Sequence, residues 1–510
     1  MLTTLAFSFA AAAGLAFIPE SCAKPRAPLH SRFFSALAVH AAAVAFICLA
    51  AFMLTGRVRF SAFVSLALVG LLAGVSNAKY ASLREPFVFT DLSLFSQLFA
   101  HPRLYLPFLS ASTVVAIVVG IAAVVAAFMA EKPQSERPVF ALVAALLACL
   151  GAAYAFAARL PLTLDPSNDQ RRHGFFAVFV AYLLNGMTPA TAARLRNALS
   201  ASPFAHGAPR SSPDVIVIQS ESFFDARRLA ASIDPSILRN FDIARRESVQ
   251  HGNLTVPAWG ANTMRTEFAV LTGIDETQLG YARFYPYAFV RSACASLAAW
   301  FKRGGYRTQV IHPYYADFFG RERAFRHLQF DRFVDIAAFA DAPRAGSYVS
   351  DQAVADAIIA ALDEPRDKPT FLFSITMENH GPLHLEHVVA GEGARFHALG
   401  DDARWRDLTA YLRHLANADA MLGRLLDALR ARLRDTVLCF YGDHVPALPH
   451  VFADLNYEAA NSDYFIWRNY GDAPTMRNDL RAEELGLALV AAIGSAVQRE
   501  TPARALHPTP

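Results

Sequence analysis

The chain has 510 residues, a formal net charge of +3 and 54% hydrophobic residues. So small a net charge over this length predicts no nucleic-acid-binding surface, and the five cysteines are too few for a disulfide-stabilised scaffold. The mean hydropathy of +0.26 averages over two different regions, an apolar one before residue 160 and one of ordinary globular composition after residue 200.

The first 160 residues contain long uncharged segments. They are residues 1–19, 33–56, 60–78, 104–130 and 138–158. A helix needs about 20 apolar residues to cross a bilayer, so the last four segments are long enough. The first is either a short span or a cleaved signal peptide. We therefore predict a transmembrane domain over residues 1–160, built as a bundle of about five helices.

Both readings of the first segment place the C-terminal part of the chain outside the cytoplasm. The basic residues of the short loops do not decide the orientation by the positive-inside rule. Loops expected inside carry Arg57, Arg59, Lys132 and Arg137, and loops expected outside carry Lys24, Arg26, Arg32, Lys79, Arg84 and Arg103.

Residues 161–207 are predicted to be a juxtamembrane connector. Within it, FFAVFVAYLL at 175–184 is too short to cross a bilayer, so we expect it to lie along the membrane surface or to pack on the following domain. APRSSP at 208–213 has the composition of a domain boundary. At the other end, residues 499–510 are expected to be a disordered tail.

Strands and helices alternate over residues 208–498. Residues 214–219, 306–311, 370–376 and 436–441 are short apolar runs of the kind found in strands that are covered on both faces. Residues 351–363 and 409–433 have helical periodicity, and Asp351 is the expected N-cap of the first. The alternation predicts an α/β domain with a central, mostly parallel sheet flanked by helices, and with its ligand site beyond the carboxyl ends of the strands.

Acidic residues and histidines follow three of these predicted strands. They are Glu221, then Glu378, His380 and His384, then Asp443 and His444. Each alone is most simply a solvated loop residue or a cap, but parallel strands bring their carboxyl ends to one edge of a sheet. Carboxylates with an imidazole suit a divalent ion such as Mn²⁺ or Zn²⁺, and the lack of thiolates argues against a structural zinc site.

A threonine lies at the start of another predicted helix. TMRTEFAVLTG reads as a helix that has Asn262 as its N-cap, which places Thr263 at the helix N-terminus, where anions are favoured. A hydroxyl that also contacts a divalent cation can attack a phosphate or sulfate ester. Thr263 is therefore either such a nucleophile or a second capping residue, and the local sequence leaves both open.

The motifs QSESF, GANTMRTEF, ITMENHGP and FYGDH, in this order behind the apolar segments, resemble the lipoteichoic acid synthase and phosphoglycerol transferase family. That family belongs to the sulfatase-like branch of the alkaline phosphatase superfamily. By motif match, the resemblance implies that Glu221, Thr263, Asp443 and His444 hold one metal ion, most often Mn²⁺, with Zn²⁺ and Mg²⁺ as alternatives. It also implies that Thr263 is the nucleophile.

The resemblance further implies a substrate pocket. His380 matches a histidine that contacts the phosphoglycerol, and HPYYADFFGRERAF is similar to a loop that contributes Phe319 and Arg321 to the pocket. Residues 77–92 resemble the segment that faces the active site from the membrane. This match favours a multi-pass protein of the bacterial inner (cytoplasmic) membrane with its catalytic domain on the periplasmic, extracytoplasmic side.

The implied activity is transfer of a phosphoglycerol headgroup from a phospholipid to an envelope glycan or lipid, through a phospho-threonine. NTMRTE has neither the Cys nor the Pro of the C-x-P-x-R or S-x-P-x-R signature of true sulfatases, so sulfate-ester hydrolysis is not expected. GANTMRTEF also departs from the polymerising synthases, which disfavours a long polymer as product. The alternatives are a phosphoethanolamine transferase, with phosphatidylethanolamine rather than phosphatidylglycerol as donor, a hydrolase, and a transporter or scaffold without catalysis.

Overall fold

The computed structural model describes residues 2–94, 111–135, 137–458 and 461–494. The chain divides into two compact units. The first comprises Met1–Asn197 and Glu276–Phe289, and the second comprises Ala198–Asp275 and Val290–Pro510. The predicted tail at 499–510 and the start of the predicted span 104–130 lie outside the described residues.

The first unit is helical. Its helices before residue 200 are α1 (Leu2–Leu15), α2 (Phe17–Glu20), α3 (Phe34–Thr55), α4 (Val58–Leu83), α5 (Ala111–Ala130), α6 (Val139–Ala157), α7 (Pro166–His173), α8 (Phe175–Gly186) and α9 (Pro189–Ser200). In the described residues, α3, α4 and α6 are long and apolar enough to cross a membrane, and two shorter apolar helices cover Phe7–Glu20 and Val114–Ala130. The N-terminal bundle of apolar helices is confirmed, with three full-length spans among the five predicted.

Helix α8 departs from its prediction. It is buried among the helices of the first unit and packs on α3 and α6, whereas the sequence suggested a position on the membrane surface or on the next domain. The helix carries apolar side chains on all sides, so no position at an interface covers them. Only the interior of the bundle removes the whole helix surface from water.

The second unit contains the predicted sheet. Its strands are β1 (Asp214–Ser220), β2 (Gln250–Thr255), β3 (Arg307–Ile311), β4 (Arg332–Val334), β5 (Arg344–Ala345), β6 (Tyr348–Val349), β7 (Thr370–Ile375), β8 (Thr436–Gly442), β9 (Asn461–Arg468), β10 (Met476–Arg477) and β11 (Leu480–Arg481). The main sheet has the order β10-β2-β9-β8-β1-β7-β3-β4, with β11 also paired to β2. The four predicted strands are β1, β3, β7 and β8, and they are mutually parallel neighbours.

Helices flank the sheet, as predicted. They are α10 (Arg239–Glu247), α11 (Thr263–Thr272), α12 (Leu297–Arg303), α13 (Arg321–His327), α14 (Asp351–Asp363), α15 (Arg406–Arg430), α16 (Pro449–Asp454) and α17 (Ala482–Gly494). The helical periodicity over 409–433 corresponds to α15, whose apolar stripe is buried along its length, and each fully buried leucine there contributes about 1.5–3 kcal/mol. The N-cap of α14 is Ser350, whose side chain accepts from the Ala353 N–H, and not Asp351.

Candidate active site

The carboxyl ends of β1 and β8 bring three candidate metal ligands together. Glu221 follows β1 directly, and Asp443 and His444 follow β8, which pairs with β1 in parallel register up to Ser220 and Gly442. One ligand atom from each of the three side chains lies within 4.8 Å of the others. His444 Nε2 is 3.6 Å from Glu221 Oε1 and 3.4 Å from Asp443 Oδ2. All three side chains are buried.

Backbone contacts orient this cluster. Asp443 Oδ1 accepts hydrogen bonds from the Ser222 and His444 N–H groups, both at 2.8 Å. His444 Nδ1 lies 3.0 Å from the Val445 carbonyl oxygen. Since a carbonyl only accepts, this contact places the proton on Nδ1 and leaves the Nε2 lone pair for a metal ion.

Glu221, Asp443 and His444 have the chemistry to bind a divalent cation. Asp443 Oδ2 is buried and receives no hydrogen bond from the residues that the structure describes. Burial, with the nearby Asp443 carboxylate, raises the pKa of Glu221 to about 8. Two converging carboxylates in a buried site call for a positive charge, and two carboxylates with one imidazole suit Mn²⁺, Zn²⁺ or Mg²⁺ better than a thiolate-binding metal.

Thr263 lies beside the cluster at the first position of α11. Its hydroxyl Oγ1 is 3.4 Å from His444 Nε2, and the side chain is buried. One turn later, Thr266 donates a hydrogen bond of 2.7 Å to the Asp443 carbonyl, which attaches the helix to the strand end that carries two of the ligands. Asn262 occupies the N-cap position with a φ of +64°.

Gly442 lets the end of β8 lie close to the turn that follows Glu221, because it has no side chain. Gly442 ends β8, and a Cβ at this position would lie 1.9 Å from the Phe223 carbonyl oxygen and 2.2 Å from Ser462 Oγ. The glycine of FYGDH therefore lets β8 end against the turn that follows Glu221. This turn has Ser222 at a φ of +54°, and its carbonyl accepts a 2.8 Å hydrogen bond from Tyr411.

His380 lies in the loop that follows the neighbouring strand β7 and contacts a tyrosine. His380 Nδ1 is 2.7 Å from the Gly381 carbonyl oxygen, to which the Tyr348 hydroxyl also donates at 3.1 Å. This carbonyl places the proton on Nδ1, so Nε2 is an acceptor. Burial lowers the pKa of His380, which favours the neutral ring.

Glu378 and His384, the other two candidates from the segment after β7, do not belong to the cluster of metal ligands in the part of the chain that the structure describes. Glu378 accepts from the Asp351 N–H at 2.7 Å, from His414 Nδ1 at 2.9 Å and from Asn417 Nδ2, and it is not part of the metal-ligand cluster among the described residues. His384 is exposed on a short 3₁₀ helix, Leu383–Leu385. Of the three polar candidates after β7, only His380 remains a candidate site residue.

Arg321 begins α13 and is one of the largest fully buried side chains among the described residues. Its Nε lies 3.1 Å from Glu267 Oε1, and its Nη1 lies 3.2 Å from His312 Nε2. The guanidinium carbon is also 5.3 Å from the ring centre of Phe319, and Phe319 has a φ of +56°. The predicted pair of Phe319 and Arg321 is thus one contiguous group.

Sequence reasoning missed several residues around Arg321 and His380. They are Gln219, Glu267, His312 and Tyr348. His312 directly follows β3, so the same search of strand ends would have found it. Burial and the adjacent Arg321 keep the pKa of His312 well below its usual value, so the imidazole is neutral. Glu267 follows Thr263 by one helical turn, a spacing that signals a shared helix face.

Comparisons with known proteins agree with this architecture. The sulfatase family, described as "Sulfatase", matches residues 213–488. The capsular polysaccharide biosynthesis protein RkpI of Rhizobium meliloti (strain 1021) is 31% identical over 81% of this chain and 78% of its own.

One solved structure with a TM-score above 0.5 shows the fold. The lipooligosaccharide phosphoethanolamine transferase EptA of Neisseria meningitidis superposes with a TM-score of 0.55 at 13% identity over 90% of this chain and 88% of its own. The Streptococcus pyogenes phosphoglycerol transferase GacH has a TM-score of 0.45 at 20% identity, over 62% of this chain and 87% of its own. The chain belongs to the sulfatase family, in agreement with the sulfatase-like domain that its resemblance to the lipoteichoic acid synthase and phosphoglycerol transferase family implied.

Proposed function

We propose that the protein is a membrane-bound, metal-dependent transferase that moves a phosphoglycerol headgroup from phosphatidylglycerol to an envelope glycan or lipid. The observation that carries this proposal is the position of the Thr263 hydroxyl. It lies 3.4 Å from His444 Nε2, at a helix N-terminus and beside a buried cluster of metal-binding character. A hydroxyl in that position is suited to attack a phosphodiester.

Glu221, Asp443, His444 and Thr263 would hold the metal ion, most simply Mn²⁺. When bound, the ion supplies a Lewis acid for the phosphoryl oxygens and lowers the pKa of the threonine hydroxyl. The other roles in the reaction belong to side chains and backbone groups of the chain itself.

The reaction proceeds in two displacements at phosphorus. In the first, Thr263 Oγ1 loses its proton and bonds to phosphorus, while the bond from phosphorus to the diacylglycerol oxygen breaks and that oxygen takes up a proton. In the second, an acceptor hydroxyl loses its proton and bonds to phosphorus, and Thr263 leaves and regains its proton. The N-terminal N–H groups of α11 face the charge that develops on the phosphoryl oxygens.

His380 and the group of Phe319 and Arg321 would bind the headgroup. The neutral His380 ring, with its proton held toward the Gly381 carbonyl, offers Nε2 as an acceptor for a glycerol or acceptor hydroxyl. This arrangement favours an orienting role for His380 over that of an acid. Arg321 would stabilise negative charge on the phosphoryl group, and Phe319 would shape the pocket around it.

The kinship with RkpI, a capsular polysaccharide biosynthesis protein, supports an envelope glycan as acceptor. A lipid donor accounts for the spans in the same chain. We infer an inner-membrane protein of a bacterium, with the second unit on the periplasmic side, because glycans of the envelope are modified there.

The test uses the purified chain in detergent with Mn²⁺ and labelled phosphatidylglycerol. We expect wild type to release labelled diacylglycerol and to yield, in mass spectrometry, a Thr263 peptide that carries phosphoglycerol. Thr263→Ala should do neither, whereas Thr272→Ala, at the other end of the same helix, should do both. Full activity of Thr263→Ala would end the proposal. Release from phosphatidylethanolamine in place of phosphatidylglycerol would identify a phosphoethanolamine transferase.

A further inference from the structure

Of the six large apolar side chains that remain exposed in the described part of the second unit, three lie in two loops at one edge of the sheet. The six are Tyr315, Leu385, Val389, Leu433, Met476 and Leu487. Tyr315 lies in the loop that follows β3, and Leu385 and Val389 lie in the loop that follows β7. Both loops leave the carboxyl edge of the sheet, where the candidate active site is. We call Tyr315, Leu385 and Val389 the apolar rim.

Tyr315 of the apolar rim is connected to the site through packed side chains. The ring of Tyr315 lies 5.0 Å from that of Tyr314, which lies 6.2 Å from that of Tyr348. The Tyr348 ring lies 5.5 Å from that of His380. The hairpin of β5 and β6 thus links the loop after β3 to the headgroup-binding candidate His380.

The same hairpin touches the loop after β7. A Cβ at Gly346, in the turn of the hairpin, would lie 2.2 Å from Glu386 Oε1, and Glu386 directly follows the exposed Leu385. The carboxylate of Glu386 is in turn paired with Arg413 at 3.0 Å. The hairpin of β5 and β6 therefore contacts both loops of the apolar rim.

What distinguishes these exposed side chains is their position beside the site, since Leu433, at the opposite edge of the sheet, is more exposed than any of them. Leu385 is 62% exposed, Val389 53% and Tyr315 50%. A single exposed apolar residue is ordinary, whereas several at the edge of a site mark a surface that binds something apolar. Tyrosine, with an apolar ring and a polar hydroxyl, is typical of the boundary between lipid and water.

The chain itself indicates what covers the apolar rim. It carries three helices long and apolar enough to cross a membrane, so the second unit is always tethered to lipid. We propose that the apolar rim inserts among the lipids of the bilayer and thereby brings the site to its membrane-bound substrate. The role in substrate access rests on the proposed function, because it requires a lipid donor, but insertion itself can be measured without any reaction.

The first test measures insertion directly in the full-length chain. An environment-sensitive dye is attached to Leu385→Cys, in a background with Cys22, Cys149 and Cys294 changed to serine, and the protein is reconstituted in phosphatidylcholine vesicles. We expect brominated acyl chains to quench this dye. The matched control is Leu433→Cys, which lies before β8 at the opposite edge of the sheet, and its dye should not be quenched. No quenching at position 385, or equal quenching at both, would overturn the proposal.

The second test separates substrate access from chemistry. The triple variant Tyr315→Ser/Leu385→Ser/Val389→Ser is compared with Leu433→Ser/Met476→Ser/Leu487→Ser, which removes the other three large apolar side chains that are exposed among the described residues of the unit. For long-chain phosphatidylglycerol in vesicles, we expect the apolar-rim variant to raise the apparent KM about tenfold. For soluble dihexanoyl phosphatidylglycerol, it should behave as wild type does. The control variant should leave both values unchanged.

Two other outcomes would contradict either the apolar-rim proposal or the proposed function. A KM that rises for a glycan acceptor, with both donors unaffected, would show that the apolar rim binds sugar and would overturn the proposal. If wild type cleaves neither donor, the proposed function fails, and the quenching experiment still decides whether the apolar rim touches lipid.

Discussion

The Arg321 guanidinium lies against the Glu267 carboxylate, with Nε 3.1 Å from Oε1 and both side chains buried. Glu267 Oε2 also accepts a 3.0 Å hydrogen bond from Gln219 Nε2 on β1. Because Glu267 follows Thr263 by one turn of α11, the pair connects the helix of the proposed nucleophile to the start of α13, where the phosphate-binding candidate Arg321 lies. Glu267 is therefore expected to position Arg321.

We predict that Glu267→Gln lowers kcat for phosphatidylglycerol cleavage by about 10–100-fold and destabilises the protein by about 3–5 kcal/mol, since it leaves a buried guanidinium without its counter-charge. The double variant Glu267→Leu/Arg321→Met should recover most of the stability, because it removes both charges, but none of the activity. Thermal unfolding and diacylglycerol release measure the two effects separately. A double variant as active as wild type would show that the ion pair is only structural.

The raised pKa of Glu221 leads to a prediction about metal binding. With a pKa of about 8, the carboxyl is mostly protonated at pH 7 before a cation binds, and a bound cation requires its ionised form. We expect Mn²⁺ binding at pH 7 to release close to one proton, measured by calorimetry in buffers of different ionisation enthalpy. Affinity should rise as the pH increases toward 8. Glu221→Gln should bind weakly and release none.

Tyr348→Phe tests the orientation of His380. The variant keeps the ring that packs on His380 but removes the hydroxyl, which lies 3.2 Å from His380 Nδ1 and donates to the Gly381 carbonyl. We expect a rise of about 5–10-fold in KM for the donor with little change in thermal stability, since one hydrogen bond contributes about 1 kcal/mol. Tyr306→Phe, at a tyrosine outside the site, is the control. Equal KM values for wild type and Tyr348→Phe would contradict the orienting role.

The raised pKa of Asp351 predicts how the stability of the protein changes with pH. Burial, and then the nearby Glu378, raise the pKa of Asp351 well above its usual value. A raised folded-state pKa means that the folded protein binds the proton more tightly, so wild type loses stability as the pH rises from about 4 toward the folded pKa, by about 1.4 kcal/mol per unit. Asp351→Asn should lack this loss and should melt higher than wild type at pH 8, with nearly equal melting at pH 4. A constant difference across this range would refute the assignment.

Much of the site could be predicted from sequence because parallel strands share one carboxyl edge. Glu221 follows the buried strand β1, and Asp443 and His444 follow the buried strand β8. Because these two strands pair in parallel up to Ser220 and Gly442, the three residues lie close together. The helix start at Thr263 was readable in the same way from local spacing. Their roles in metal binding and catalysis remain predictions that the experiments above test.

Other features depended on contacts between distant parts of the chain. Glu378 looked equivalent to Glu221, yet it faces His414 and Asn417 on α15, 36 and 39 residues away. The strand β9, which pairs antiparallel with β8, and the partnership of Glu267 with Arg321 were likewise not predicted.

The sequence alone thus determined which residues end strands and begin helices, because hydrophobic periodicity and helix signals are local. Only the tertiary structure decided which carboxylate faces the cluster and which is satisfied by a helix behind it. It also decided that α8 is buried in the bundle. Those outcomes follow from packing and from pairing of buried polar groups, which depend on neighbours far away along the chain.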